Sequence, residues 1–106
     1  MGEVRWTERA FHDLEAIYEY IRDASPATAF ATIQRIAHSI DQLESFPRRG
    51  RVLPEDPGGR YRELVVRAHR VIYRAEGQDV WLVAIVAARQ FMDVDSLETT
   101  DRKSVV

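Results

Sequence analysis

The most distinctive chemical feature of this chain is a series of arginines in its middle. Between positions 48 and 74, eight arginines stand against three acids, a local balance of +5; the 47 residues before carry −4 and the 32 after carry −3. Guanidinium groups bind phosphate and carboxylate oxygens through paired hydrogen bonds. The net charge of −2 therefore conceals a basic centre that predicts an anionic partner. These arginines are Arg48, Arg49, Arg51, Arg60, Arg62, Arg67, Arg70 and Arg74.

Groups that could transfer a proton are scarce near these arginines. His69 directly precedes Arg70, and Arg89 follows the last predicted strand. His69 could in principle serve as an acid or base. A lone histidine beside a turn is more often a solvated surface residue, by roughly four to one, and both interpretations stay open.

The composition excludes several other kinds of chemistry. The chain has no cysteine, which removes disulfides, thiolate catalysis and the common zinc sites. His12, His38 and His69 are too far apart in sequence to suggest a metal site. No apolar stretch is long enough to cross a bilayer or to form a signal peptide. We therefore expect a cytoplasmic protein with no cofactor, no metal and no membrane contact.

Two amphipathic helices are predicted in the first half of the chain. Apolar residues recur at three- and four-residue intervals from 10 to 21, and Ser25 before Pro26 is the usual beginning of a second helix. That helix is expected to continue to Phe46 and to end at Pro47. Because the connection is so short, the two helices must be antiparallel neighbours.

Strands are predicted on both sides of this helical hairpin. A short first strand around Val4 and Trp6 ends at Thr7, which can cap the first helix, and a loop spans 47–60. The fold class is thus α+β: a short N-terminal strand, an antiparallel helical hairpin, then a three-stranded antiparallel sheet. We expect a single domain over 1–97 and a flexible C-terminal tail over 98–106. The three later strands are predicted at 61–67, 69–75 and 79–87.

Both faces of the predicted sheet are apolar, but two helices can cover only one of them. The second face must then be covered by a partner or by the C-terminal segment that carries Phe91, Met92, Val94 and Leu97. The expected register pairs Arg70 with Ile85 and Arg62 with Arg74, and it gathers Arg67, Arg70 and Arg89, accessible to solvent, at one end of the sheet. One face would carry Leu64, Val66, Ile72, Trp81, Val83 and Ile85; the other would carry Val65, Val71, Tyr73, Val80 and Leu82.

An ordered series of short motifs resembles the ParE/RelE superfamily of bacterial toxins from toxin–antitoxin modules. No single motif is specific, but their order is, and the resemblance runs from about residue 4 to residue 92. The motifs include Val4-Arg5-Trp6-Thr7, Asp13-Leu14, Ser25-Pro26, Phe46-Pro47, Gly50-Arg51, Arg62-Glu63-Leu64, Arg70-Val71-Ile72-Tyr73-Arg74 and the final Arg89.

The resemblance implies a partner and two competing activities. It implies a co-expressed antitoxin that wraps the toxin with a helix and an extended arm, an oligomer formed through that antitoxin, and a role in plasmid stabilisation. ParE-like members bind DNA gyrase and trap it on cleaved DNA. RelE-like members cut messenger RNA in the ribosome with arginines corresponding to Arg70 and Arg89. A third possibility is a toxin-derived chain that only binds antitoxin.

The motif residues favour the ParE-like activity. Leu64 stands where RelE-like strands carry a lysine, and the late acid or base position falls near Asp95. We therefore expect a gyrase inhibitor without catalytic residues; Arg70, Arg89 and His69 would act only in the RNase alternative. The candidate target contacts are Arg62, Arg67, Arg70, Arg74 and Arg89. The candidate antitoxin contacts are Arg48, Arg49, Arg51, Tyr73 and Leu82.

Overall fold

A five-stranded mixed sheet with helices on both of its faces organises the chain. The computed structural model describes residues 2–101. The elements are β1 Val4–Trp6, α1 Glu8–Ala24, α2 Pro26–Asp41, a 3₁₀ turn Gln42–Glu44, β2 Arg51–Val52, β3 Arg62–Val66, β4 His69–Glu76, β5 Asp79–Ala87 and α3 Val94–Thr100. In the sheet the strand order is β1-β5-β4-β3-β2; β1 is parallel to β5, and the other neighbours are antiparallel.

The capping residues begin both long helices where the sequence predicts. The Thr7 hydroxyl accepts a hydrogen bond from the Ala10 amide at 3.2 Å and donates one to the Leu82 carbonyl at 2.9 Å, so it caps α1 and joins it to β5. The Ser25 hydroxyl accepts from the Thr28 amide, and Pro26 occupies the first turn of α2. The antiparallel hairpin is confirmed. Helix α2 ends at Asp41, and the 3₁₀ turn that follows it ends at Glu44, short of the predicted helix end at Phe46.

Strand β2 is the element that the sequence pattern misses. It has only two residues, both exposed, and lies at the sheet edge, paired with β3 through Arg51↔Glu63 and Val52↔Arg62. Two residues show no periodicity, so this segment was predicted as loop. The sheet therefore has five strands, where the sequence predicts an N-terminal strand and three more.

The predicted sheet register is partly wrong. The β4–β5 turn lies where expected, but β5 has a bulge: Tyr73 pairs with Leu82 while Ile72 pairs with Ala84. Beyond it, Arg70 lies opposite Val86, and the β3–β4 hairpin pairs Arg62 with Tyr73 in place of Arg74. Because a shift of one residue exchanges the two faces, the predicted face assignments are mixed.

Two apolar cores result, one on each face of the sheet. The core beneath α1 and α2 contains Ala10, Ile36, Ile40, Leu43, Val71, Tyr73, Val80, Leu82 and Ile85, with Leu64 and Val66 packed against it. The core on the other face contains Leu53, Tyr61, Ile72, Val83, Ala84, Val86, Met92 and Leu97. The second face is thus covered by the C-terminal segment, one of the two covers that the sequence allows.

Helix α3 also shows that the predicted tail begins too early. Residues 98–100 belong to α3, and Asp101 is buried. Residues 98–101 have a defined structure because they are held at both ends: Leu97 is fully buried, and the Asp101 carboxylate is bonded to Arg74 and Tyr61. The remainder of the predicted tail, 102–106, lies outside the described residues, and the domain limit itself stays a prediction.

Replacing Leu97 with Ala should destabilise the whole domain, because the side chain is fully buried against the second sheet face. We expect the free energy of unfolding to fall by about 2–5 kcal/mol, the usual cost of such a truncation in a core. Urea unfolding of the purified protein measures it. Thr99→Ala, on the exposed side of the same helix, is the control; equal effects of the two substitutions would contradict an integral role for α3.

Candidate functional site

A buried ionic network centred on Arg70 occupies the second sheet face. Arg70, on β4, is 6% exposed. Its Nε donates to Glu63 Oε1 at 2.6 Å, and its Nη1 and Nη2 donate to the two oxygens of Glu55 at 2.8 and 2.6 Å. Nη1 also donates to the Gln90 carbonyl at 2.7 Å. Four of the five guanidinium hydrogens are therefore used inside the domain.

Both carboxylates of this network have further partners. Glu63, whose side chain is fully buried, also accepts from Arg51 Nε at 2.5 Å, and Glu55 accepts from the Met92 amide at 3.0 Å. The hydrogen bonds from Arg70 lower the pKa of Glu55 to about 2, against the opposing effect of its burial. The same bonds raise the pKa of Arg70, with Glu55 contributing most. Two arginines and two carboxylates thus balance in charge.

This geometry corrects the prediction that Arg70 is an accessible contact at the end of the sheet. Arginine is almost never fully buried without a partner, and here Glu63 on β3 and Glu55 in the loop both supply one. The sequence could not reveal this, because Glu55 lies 15 residues away in an irregular segment. Arg70 presents no free guanidinium face to a target or to RNA.

Arg74, another predicted target contact, anchors the C-terminal segment. Its Nε donates to Asp101 Oδ2 at 2.8 Å, and its Nη1 donates to Glu76 at 2.6 Å. The Tyr61 hydroxyl also donates to Asp101 Oδ2, at 3.1 Å. Burial, followed by the Asp101 charge, raises the pKa of Tyr61, which keeps the phenol protonated. Arg74 therefore uses most of its hydrogen-bond donors in contacts within the domain.

Arg67 and Arg89 do lie near each other and are exposed at one end of the sheet. The Ala88 amide donates to the Ala68 carbonyl at 2.7 Å, which joins their two loops. Arg67 adopts φ 55°, the left-handed region that non-glycine residues rarely occupy. His69, beside them, is half-buried, and burial lowers the pKa of its imidazole. Burial therefore favours the neutral form of this histidine.

A second group of arginines lies around the Gly50 loop. Arg48, Arg49 and Arg51 are exposed, and Arg62 is half-buried with its Nη1 bonded to the Gly50 carbonyl at 2.8 Å. Arg51 pairs with Glu63, whereas the other three form no ion pair with any carboxylate in residues 2–101. These three carry the uncompensated charge of this part of the surface.

Tyr73 and Leu82, two of the predicted antitoxin contacts, are core residues. Both are fully buried on the helix-covered face. Because the strand register differs from the predicted one, both side chains point into the core. The prediction that they are surface contacts is therefore wrong. The Tyr73 hydroxyl instead accepts a hydrogen bond from the Gly50 amide at 2.9 Å and thereby fixes the arginine-rich loop.

An apolar groove on the helical hairpin is the surface feature that was missed. A hollow of about 280 Å³ between α1 and α2 is lined by Phe11, Leu14, Tyr18 and Ile33, with Glu15, Glu19 and Arg22 at its rim. Phe11 and Tyr18 are 41% and 37% exposed. The signal was present in the sequence, since these aromatics widen the apolar stripe of α1 beyond what one core contact requires.

Two kinds of site are not found in the part of the chain that the structure describes. Residues 2–101 contain no group of three or more histidines and acids placed to hold a metal ion. Within the same residues, no helix has the length and apolarity to cross a membrane.

Comparisons with known proteins identify the class of protein to which this fold belongs. Residues 4–91 match the family model described as ParE toxin of type II toxin-antitoxin system, parDE. The chain therefore belongs to the ParE toxin family. It is the toxin of a ParDE-like type II module, which has a cognate antitoxin as its partner.

Individual relatives carry names from both branches of the superfamily. The chain is 41% identical to Toxin RelE2 of Caulobacter vibrioides over 91 residues, 84% of this chain and 94% of that protein. It is 33% identical to Putative toxin Y4kP of Sinorhizobium fredii, over 82% and 88% of the two chains. Its structure is similar to a chain of the chromosomal ParDE TA system from P. aeruginosa, with a TM-score of 0.68 and 27% identity over 82% of this chain and 96% of that chain.

Replacing Arg70 with Ala should unfold or severely destabilise the protein, because it leaves Glu63 and Glu55 charged without their main partner. We expect a loss of about 3–5 kcal/mol in the free energy of unfolding, measured in urea. Arg89→Ala removes the same charge from an exposed site and should change it by less than about 0.5 kcal/mol. An Arg70→Ala variant as stable as Arg89→Ala would show that the network contributes nothing.

The lowered pKa of Glu55 predicts a loss of stability in acid. Its folded value, about 2, lies below the ordinary 4.5, so its contribution is complete above pH 4.5 and is lost as the pH falls toward 2. At 1.36 kcal/mol per pKa unit the contribution is roughly 3 kcal/mol. Burial raises the pKa of Asp13, which acts in the opposite direction at pH values above its ordinary 3.8.

The measurement is the free energy of unfolding in urea at several pH values between 7 and 2. Glu55→Gln should flatten the acid dependence, because the titrating group has been removed. Glu98→Gln, which alters a half-exposed carboxylate 3.8 Å from Arg60, is the matched control and should leave the slope as it is. The idea fails if Glu55→Gln and the unmodified protein have the same slope.

Proposed function

We propose that this ParE-family toxin inhibits DNA gyrase by binding and is neutralised by its cognate antitoxin. The observation that carries the proposal is the arrangement of Arg70, which spends four of its five donors on Glu55, Glu63 and the Gln90 carbonyl. A gyrase inhibitor requires only a complementary surface. An RNase of the RelE type requires that same guanidinium to be available for the scissile phosphate.

The remaining surface supports inhibition by binding. Arg67 and Arg89 are exposed at one end of the sheet, and Arg62 is half-buried at the start of β3. His69, beside Arg67 and Arg89, is half-buried, and burial lowers its pKa. In the described part of the chain these residues offer cationic contacts for a target but no pair of groups placed to remove and supply protons.

The antitoxin, in this proposal, places an amphipathic helix in the groove between α1 and α2. Phe11, Leu14, Tyr18 and Ile33 line that groove, and helix-in-groove binding uses apolar anchors of this kind. The half-exposed aromatic rings are costly to leave in water and gain most from being covered. Neutralisation and target binding would then use different surfaces of one small domain.

The runner-up function is ribosome-dependent cleavage of messenger RNA. The 41% identical relative named Toxin RelE2 and the exposed Arg89 beside His69 favour it. The sequestration of Arg70 opposes it, because cleavage would rest on Arg89 and His69 alone. A chain that has lost activity and only binds antitoxin is the third alternative.

Purified toxin should inhibit supercoiling by gyrase and accumulate cleaved DNA, and added cognate antitoxin should restore supercoiling. His69→Ala should retain this inhibition in full, because binding needs no proton transfer at that site. Ribosome-bound message should stay intact in a parallel assay. Cleaved message that disappears in His69→Ala would establish the RNase alternative, and loss of both activities with antitoxin binding retained would establish the inactive module.

A further inference from the structure

The arginines around Gly50 form a surface that neither core packing nor internal pairing explains. We call it the basic loop face and define it by Arg48, Arg49 and Arg62. Arg48 reaches only the Gly77 carbonyl, at 3.4 Å, and Arg62 reaches the Gly50 carbonyl, at 2.8 Å. Within residues 2–101 none of the three meets a carboxylate, so these residues supply no counter-ion to the three positive charges of the face.

Hydrogen bonds attach the loop that carries Arg48 and Arg49 to the sheet that carries Arg62. The Gly50 amide donates to the Tyr73 hydroxyl at 2.9 Å, and an added side chain at Gly50 would come within 2.5 Å of the Glu63 carbonyl oxygen. Burial raises the pKa of the Tyr73 hydroxyl, while the hydrogen bond from the Gly50 amide and the positive charges of Arg62 and Arg48 lower it. Both guanidinium groups therefore act electrostatically on the same buried hydroxyl. Such pre-organisation lowers the cost of binding an anion.

The density of charge identifies the partner. Like charges so placed repel one another unless an anion is shared among them. Duplex DNA carries one negative charge per about 1.7 Å of its axis, whereas an extended acidic peptide rises about 3.3 Å per residue and offers at most one charge in that distance. Three unpaired arginines on one face are better matched by the partner with more charge per unit length. Guanidinium forks also bind phosphate through two hydrogen bonds at once.

The surroundings favour duplex over single-stranded nucleic acid. A shallow hollow of about 440 Å³ beside Arg48 and Arg49 is lined by one exposed aromatic residue, Phe46. Single-stranded binding sites place successive bases on a series of aromatic rings. A cationic surface with a single aromatic ring is instead suited to the sugar-phosphate backbone, which is bound without sequence preference.

We propose that the basic loop face binds the phosphate backbone of duplex DNA directly. The toxin would thus touch DNA as well as protein when it acts on a DNA-bound target, and that cellular setting rests on the proposed function. The surface shares no lining residue with the apolar groove of the helical hairpin. Antitoxin in that groove and DNA at the loop face can therefore be bound by different parts of the molecule.

Binding of a fluorescein-labelled 20-base-pair duplex to purified toxin, without gyrase, tests the proposal. With three phosphates neutralised, the logarithm of the association constant should fall against the logarithm of KCl concentration with a slope of about −2.7. Between 50 and 200 mM KCl this amounts to roughly a 40-fold loss of affinity. Arg48→Ala with Arg49→Ala should reduce the slope to about −0.9, with the fold unchanged because both side chains are exposed.

The matched control is Arg5→Ala with Arg35→Ala, which removes the same charge from exposed positions outside both the basic loop face and the apolar groove. It should keep the slope of the unmodified toxin. Equal losses in both double variants, or no binding at 50 mM KCl, would overturn the proposal. So would tighter binding of a single-stranded RNA or of a polyglutamate peptide of equal length. Because gyrase is absent, the result is independent of whether the toxin inhibits that enzyme.

Discussion

The ion pairs of Arg70 are the interaction on which the rest of the structure depends. They join the loop at Glu55, β3 at Glu63, β4 itself and the segment after β5 at Gln90. Glu55 then accepts from the Met92 amide, so the same network fixes the point where the chain turns toward α3. Removing Arg70, Glu55 and Glu63 from water is costly, and the cost is offset only because nearly every donor and acceptor is satisfied.

That network also explains how so small a domain covers both faces of its sheet. The helical hairpin covers one face, and the other is covered by a short loop and a seven-residue helix, α3. Neither is stable alone, because so short a helix gains little from its own hydrogen bonds. Glu55 holds the loop on the sheet from one side, and Asp101, bonded to Arg74 and Tyr61, holds α3 from the other.

The sequence predicted those parts of the fold that depend on local signals. Ser25 and Pro26 define the start of α2, and the alternating apolar residues locate β3, β4 and β5 to within a residue or two. The register was not predictable in the same way, because the bulge between Ile72 and Tyr73 follows from how two strands pack on two cores. The candidate site was equally hard to predict, because the burial of Arg70 depends on Glu55, a partner 15 residues away in sequence.

The basic centre of the sequence therefore divides into two sets with different consequences. Arg51, Arg60, Arg70 and Arg74 meet carboxylates and determine the shape of the domain. The second set meets no carboxylate among residues 2–101 and determines the electrostatic field around the domain; it consists of Arg48, Arg49, Arg62 and Arg67. Composition cannot separate the sets, since both are arginine. A protein that acts by binding needs both sets of arginines. The unpaired arginines attract an anionic partner, and they bind it selectively only because the paired arginines fix the structure that carries them.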